Sequence, residues 1–180
     1  YCTDSKIQDL EIENNEKINI LIIHGTIDGA SIEEKQYNSM NRKMLEAKGF
    51  DYVALGHIHK MDYNTKENQR IVYPGSTISL GFDELGKHGM IEGNIEKDKL
   101  DLKFIPLSKI EFEEINIDCT EIISQEELIE KINDLNLEED KLYKIILIGK
   151  RNFEINIYNL YKYDLNEKII KIKNKTKINY

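Results

Sequence analysis

The sequence predicts an α/β protein: a parallel-stranded segment followed by a small α+β appendage. Two apolar runs, Ile20-Leu21-Ile22-Ile23 and Tyr52-Val53-Ala54-Leu55, flank a helix-like stretch that Gly49 ends. Each run closes on histidine beside glycine, as His24-Gly25 and as Gly56-His57-Ile58-His59. Beyond residue 108 a second capped helix pattern sits among further apolar runs. Strand, helix, strand at the first spacing makes a βαβ unit with parallel strands and a right-handed crossover. Such folds place their chemistry at the carboxyl ends of the strands.

Residues 18–23 read as a buried strand, because the run is continuous rather than alternating. Ser31-Ile32-Glu33-Glu34 has the form of a capping box. The helix it opens is expected to carry Tyr37, Met40, Met44 and Leu45 on one stripe. Gly49 stops it as a residue able to take a positive φ. Residues 51–55 form the second buried strand. Arg70-Ile71-Val72-Tyr73 is a short strand halted by Pro74-Gly75-Ser76, and a loop with Gly81 and Gly86 follows. Residues 89–96 and 100–106 form a hairpin around Lys97-Asp98-Lys99, and Pro106 closes the region.

Residues 110–117 alternate, with a phase slip near Glu113-Glu114 that suggests a bulge. Ser124 and Glu127 form a second capping box, and the helix behind it shows Leu128, Ile132 and Leu135. Residues 142–149 make an apolar strand, and Phe153, Ile155 and Ile157 share one face of the next. The domain boundary falls near residue 108, giving segments 1–108 and 109–180. No internal repeat is visible.

A length of 180 residues suits one domain with an appendage, and 40% hydrophobic with 32% charged residues is ordinary for a globular chain. No apolar run approaches the roughly 20 residues of a membrane-spanning helix. No signal-peptide pattern is present. Cys2 and Cys119 match no ligand spacing and read as reduced thiols, which places the protein in the cytoplasm. A net charge of −8 argues against the whole surface binding nucleic acid, but leaves room for a local basic patch or for phosphodiester chemistry at a metal. The chain begins at Tyr1 rather than Met, which fits a piece of a longer protein.

The chemistry is expected at the histidines. His24 and His57 stand 33 residues apart (57 − 24 = 33) but leave neighbouring parallel strands at the same edge. A His-X-His pair aims two imidazoles at neighbouring points, and a third converges from the adjacent strand. Neutral imidazole is the commonest metal ligand, and histidines favour transition metals over magnesium or calcium. The metal candidates are therefore His24, His57 and His59. The bland alternative makes His24 a hydrogen-bonded core histidine and Gly56–His59 a turn.

The stretches around His24-Gly25, Asp51–His59, Tyr73-Pro74-Gly75-Ser76 and Leu80–Glu84 resemble the C-terminal half of a calcineurin-like metallophosphoesterase, of the SbcD-type DNA-repair exonuclease group. The resemblance covers residues 18–108 and reaches the remainder only through domain order. It implies part of a two-sheet metallophosphoesterase sandwich over 1–108, then a small α+β capping domain over 109–180. It implies that His24 and His57 bind one metal of a dinuclear Mn2+ pair and His59 the other. Ions about 3.5–4 Å apart would clamp a phosphodiester while a metal-held hydroxide attacks. It implies DNA as substrate and an SbcC-type ATPase as partner.

The family's earlier motifs are missing. No Asp lies two positions before a histidine, and Gly-Asp and Asn-His do not occur. With no bridging carboxylate or general acid, the chain by itself is expected to hold at most one metal, weakly, and to be inactive as a nuclease. It then reads as a fragment of a longer phosphodiesterase. The alternatives are a non-catalytic binding module with vestigial histidines, or a phosphoesterase acting on nucleotides or phosphoproteins.

Among the remaining candidates, His88 reads as structural or solvent-facing. Asp28, Asp51 and Asp62 read as turn or strand-start residues rather than acceptors that orient an imidazole. Lys171, Lys173, Lys175 and Lys177 at period two read as protection of an edge strand more than as a phosphate ladder. Tyr158, Tyr161 and Tyr163 read as cover for the appendage's core rather than as base-stacking rings. A half-sandwich exposes an apolar sheet face, so a homo-oligomer is expected.

Overall fold

A computed structural model describes residues 6–27 and 37–179. The chain is mixed α/β, with parallel and antiparallel sheets, and divides into two compact units. The first comprises Tyr1–Ile78 and His88–Ser108, the second Ser79–Lys87 and Lys109–Tyr180. The loop at 79–87, which the sequence groups with the first segment, thus belongs with the second.

In the first unit, β1 (Ile20–His24), β2 (Tyr52–Gly56) and β3 (Ile71–Val72) form a parallel sheet in that spatial order. The register pairs Ile20 with Tyr52 and His24 with Gly56, so both histidine-bearing exits lie at one edge. The central β2 is buried: Val53 and Leu55 pack with Ile71, Tyr73, Leu45 and Met40. β1 departs from expectation. It is an edge strand among the described residues, Ile22 is 81% exposed, and only Leu21 and Ile23 turn toward the core. A continuous apolar run does not by itself say whether both faces are covered.

The expected helix is shorter than its stripe. Its capping box at Ser31 to Glu34, like Asp28, lies outside the described residues. Helix α1 is Arg42–Ala47, capped by Asn41, whose Oδ1 accepts from Met44 N at 3.2 Å. Tyr37 and Met40 therefore precede the helix. Met40 forms a parallel bridge with Ile27, and Thr26 N donates to Tyr37 O at 2.8 Å. Gly49 ends the helical region at φ +75°. The antiparallel hairpin of β4 (Gly89–Glu96) and β5 (Lys99–Pro106) turns at Lys97-Asp98, as its sequence indicates.

In the second unit, β6 (Glu111–Asp118), β7 (Lys141–Ile148) and β9 (Ile169–Asn174) are parallel, in spatial order β6, β7, β9. The short β8 (Lys150–Arg151) pairs in parallel with β10 (Lys177–Ile178). The bulge expected near Glu113-Glu114 is absent: β6 and β7 pair without interruption. The irregularity lies instead in the pairing of β7 with β9, at Tyr143/Lys144.

Helix α2 (Gln125–Asn133) starts at Ser124, whose Oγ accepts from Glu127 N. Glu127 Oε2 in turn accepts from Ile123 N at 2.9 Å, one residue before the cap. Leu128, Ile129 and Ile132 are buried against Ile145 and Leu147. Phe153, Ile155 and Ile157 do not lie on a strand. The first two are in irregular chain and Ile157 opens helix α3 (Ile157–Leu160), yet all three still reach the core. A short i, i+2 pattern is satisfied by any extended chain, so it does not require a strand partner. Among the described residues no helix is long and apolar enough to cross a membrane.

Candidate functional site

The site is built where β1 and β2 end. Gly25 N donates to Gly56 O at 3.1 Å, continuing the pairing one step past the strands. The imidazole of His24 then lies over Gly56: a Cβ there would stand 2.8 Å from His24 Nδ1. His57 follows with φ 111°, a conformation unusual for a residue carrying Cβ. Such backbone strain clusters at functional sites. The rings of His24 and His57 meet edge to face, with centroids 5.2 Å apart.

A third ring completes the group. Tyr37 lies 5.7 Å from His24 and 5.8 Å from His57, centroid to centroid. Its backbone is fixed by the bond from Thr26 N and by its own N–H donating to Thr26 Oγ1 at 3.1 Å. Asn38 Nδ2 donates to His24 O at 2.9 Å. The apolar stripe assigned Tyr37 to a helix, and no sequence signal placed it beside the histidines.

Tyr73-Pro74-Gly75-Ser76 straps the two histidine loops. The Tyr73 hydroxyl, buried, donates to Gly25 O at 2.7 Å and accepts from Ile27 N at 3.0 Å. Ser76 N donates to His59 O at 2.9 Å. Gly75, at φ +81°, lets the strap pass so close that a Cβ would stand 2.6 Å from His59 O. Ser76 Oγ in turn hydrogen-bonds His88 Nδ1 at 2.7 Å. His88 is buried, and its carbonyl accepts from Leu107 N and Ser108 N, so of the two expected roles the solvent-facing one is wrong.

The neighbouring carboxylates are engaged elsewhere. Asp51 accepts from Asn19 N at 2.8 Å and pairs with Lys97 at 3.0 Å. The Asn19 backbone bond, with help from Lys97 and against the burial penalty, holds its carboxyl below the ordinary value. Asp62 accepts from Tyr73 N at 2.7 Å and faces Arg42 at 3.5 Å; burial outweighs these and pushes its carboxyl up.

The structure thus brings His24 and His57 together, both accessible, which removes the core-histidine alternative for His24. Among the described residues no three His, Cys, Asp or Glu side chains gather closely enough to hold an ion. His59 is exposed and does not complete a triad with the other two. Two neighbouring imidazoles suit a transition metal, but without a bridging carboxylate these residues do not fit a dinuclear centre by themselves.

The family model of the calcineurin-like phosphoesterase superfamily domain matches residues 3–98, the span that holds His24, His57, His59 and the strap. The chain belongs to this superfamily. Such metallophosphoesterases are hydrolases that use divalent metals. Among similar proteins, the uncharacterised metallophosphoesterase YhaO of Bacillus subtilis is 28% identical over 113 residues, covering 63% of this chain and 28% of that protein. The SbcD component of the SbcCD nuclease from Staphylococcus epidermidis is 34% identical over 122 residues, 63% of this chain and 32% of its own. An uncharacterised protein of Acanthamoeba polyphaga mimivirus is 32% identical over 95 residues, 51% of this chain and 7% of its own. This phosphoesterase chain spans about a third or less of the length of each of these relatives.

Proposed function

We propose that this chain supplies part of the active centre of a metal-dependent phosphodiesterase that cleaves DNA, as an SbcD-type repair exo- or endonuclease. The observation that carries the reading is the His24–His57 pair at the ends of two adjacent parallel strands, inside the span that matches the superfamily. In this reading His24, His57 and His59 are metal ligands, manganese is the metal, and the first unit forms the later part of a two-sheet catalytic sandwich. The second unit is the cap. The missing carboxylate and general acid come from residues outside this chain, so the 180 residues by themselves are inactive. The likeness to a component of the SbcCD nuclease supports nuclease activity, with DNA as substrate and an SbcC-type ATPase as partner. The location that goes with this reading is the cytoplasm.

The test compares two proteins in manganese. The 180-residue chain alone should leave DNA intact and bind at most one ion weakly by calorimetry, with binding abolished in His24→Ala and in His57→Ala. A longer protein that joins this chain to a segment bearing Asp-X-His, Gly-Asp and Asn-His should degrade DNA, and His57→Ala should abolish that. Hydrolysis of nucleotides or phosphoproteins with DNA untouched would replace the nuclease reading. No hydrolysis by the longer protein would leave a binding module.

A further inference from the structure

Past its last strand residue, β1 changes partners. Gly25 N bonds Gly56 on the β2 side, and the next residue turns its backbone toward residues 37–40 instead. Thr26 N donates to Tyr37 O at 2.8 Å, Thr26 O accepts from Met40 N at 2.8 Å, and Ile27 bridges Met40 in parallel. Thr26 adds a bond from its side chain: Oγ1 accepts from Tyr37 N at 3.1 Å. Thr26 is 5% exposed, a position where a hydroxyl is costly unless it is partnered, and its partner is the backbone of Tyr37.

The same segment is fixed from two further directions. Gly25 lets it approach so closely that a Cβ would stand 2.5 Å from Asn38 O. Asn38 takes φ 45°, a left-handed conformation that asparagine visits more readily than most residues, and its amide reaches back to His24 O. Tyr37 therefore has its N–H and its C=O both committed to Thr26, while its ring meets the two imidazoles. That ring stands edge-on to His24, at an interplanar angle of 76°, and tilted at 33° to His57. Ile27 and Met40 are buried in the core, but Tyr37 is 36% exposed, so burial is not what its ring accomplishes there.

We propose that Thr26 is a positioning residue for the histidine site. Its hydroxyl seats Tyr37, and the Tyr37 ring, in contact with both imidazoles, holds His24 and His57 in one arrangement before any ion or substrate arrives. Exposed side chains hop between rotamers in picoseconds to nanoseconds. His24 is exposed and His57 half-buried, so the core does not lock either ring, and edge-to-face contact with a seated neighbour restrains both. A site keeps its geometry when the side chains that form it are held by others whose own rotamers are fixed. The inference rests on the nuclease reading only in taking His24 and His57 as the functional pair.

The test is NMR of the 180-residue chain in EDTA, with labelled histidine and tyrosine rings. No ion or substrate is used, so failure here and failure of the nuclease reading are separate results. Cross-relaxation peaks should join the Tyr37 ring to the rings of His24 and His57. They should be lost in Thr26→Val, which keeps the branched shape without the hydroxyl, and return in Thr26→Ser. The Tyr37 amide, deprived of its acceptor in Thr26→Val, should exchange roughly 5- to 150-fold faster. The imidazole proton shifts of His24 and His57 should move in Thr26→Val and in Tyr37→Ala, whereas Tyr37→Phe, which keeps the ring, leaves them in place. His88 is the internal reference: it is buried in the same unit against Ser76, and its ring shifts if the unit as a whole loosens. Unchanged His24 and His57 shifts in Thr26→Val, no effect of Tyr37→Ala, or equal movement of His88 would overturn the proposal.

Discussion

Asp51 illustrates how one residue near the site serves the fold rather than the chemistry. Its carboxylate joins the start of β2 to the turn before β1 through Asn19 N, and to the hairpin tip through Lys97. Its folded-state pKa is depressed, so its contribution is present above the unfolded carboxylate value and is lost as pH falls through the folded one. Asp62 acts in the opposite sense. Burial raises its folded pKa, so what it contributes is present below the unfolded value and is lost as pH rises through the folded one. Asp51→Ala should therefore cost about 1–3 kcal/mol at neutral pH and flatten the acid limb of the stability curve. Urea titrations of both proteins between pH 7 and the acid limb measure this. An unchanged acid limb would show that Asp51 does not carry it.

Among the elements, the strap formed by Tyr73 to Ser76 couples the two histidine loops. Tyr73→Phe keeps the ring but leaves Gly25 O and Ile27 N without this partner, in a position where water does not reach the ring. The expected loss is about 1–3 kcal/mol. Deuterium exchange should rise at Ile27 more than at β7, because the change is local to the first unit. Exchange that rises equally in both places would contradict the strap. The Tyr-Pro-Gly-Ser motif is visible in the sequence, but its hydroxyl bond to a loop 48 residues earlier is not.

For the molecule as a whole, β1 carries the consequence. It is one of the two edge strands of its sheet among the described residues, with Ile20 49% and Ile22 81% exposed. An open edge with apolar side chains favours pairing with another copy. We therefore expect the chain to self-associate, with a sedimentation coefficient that rises with concentration, and Ile22→Lys to suppress that rise. A monomer at all concentrations would remove the homo-oligomer from the proposal. The acidic surface and the basic strand belong to the same picture: net charge governs long-range repulsion, while a short lysine run sets a local field within a Debye length of about 8 Å.

The order of residues was sufficient to determine the parallel pairing of β1 with β2, the Ser124 cap, the hairpin and the convergence of His24 with His57. Each follows from a local pattern whose partner is dictated by chain connectivity: a βαβ unit returns its strands to the same edge. Other features were decided only by tertiary contact. Tyr37 joins the histidines because Thr26 takes its backbone as a partner in place of a helix. Ile20 and Ile22 of β1 are exposed because no described segment covers that face of the strand, and Phe153, Ile155 and Ile157 fill a core without a strand. Tyr158 faces solvent because Leu160 fills the core position first. A sequence states which side chains avoid water; it does not state which of several neighbours will cover them, and that is settled by packing between segments distant along the chain.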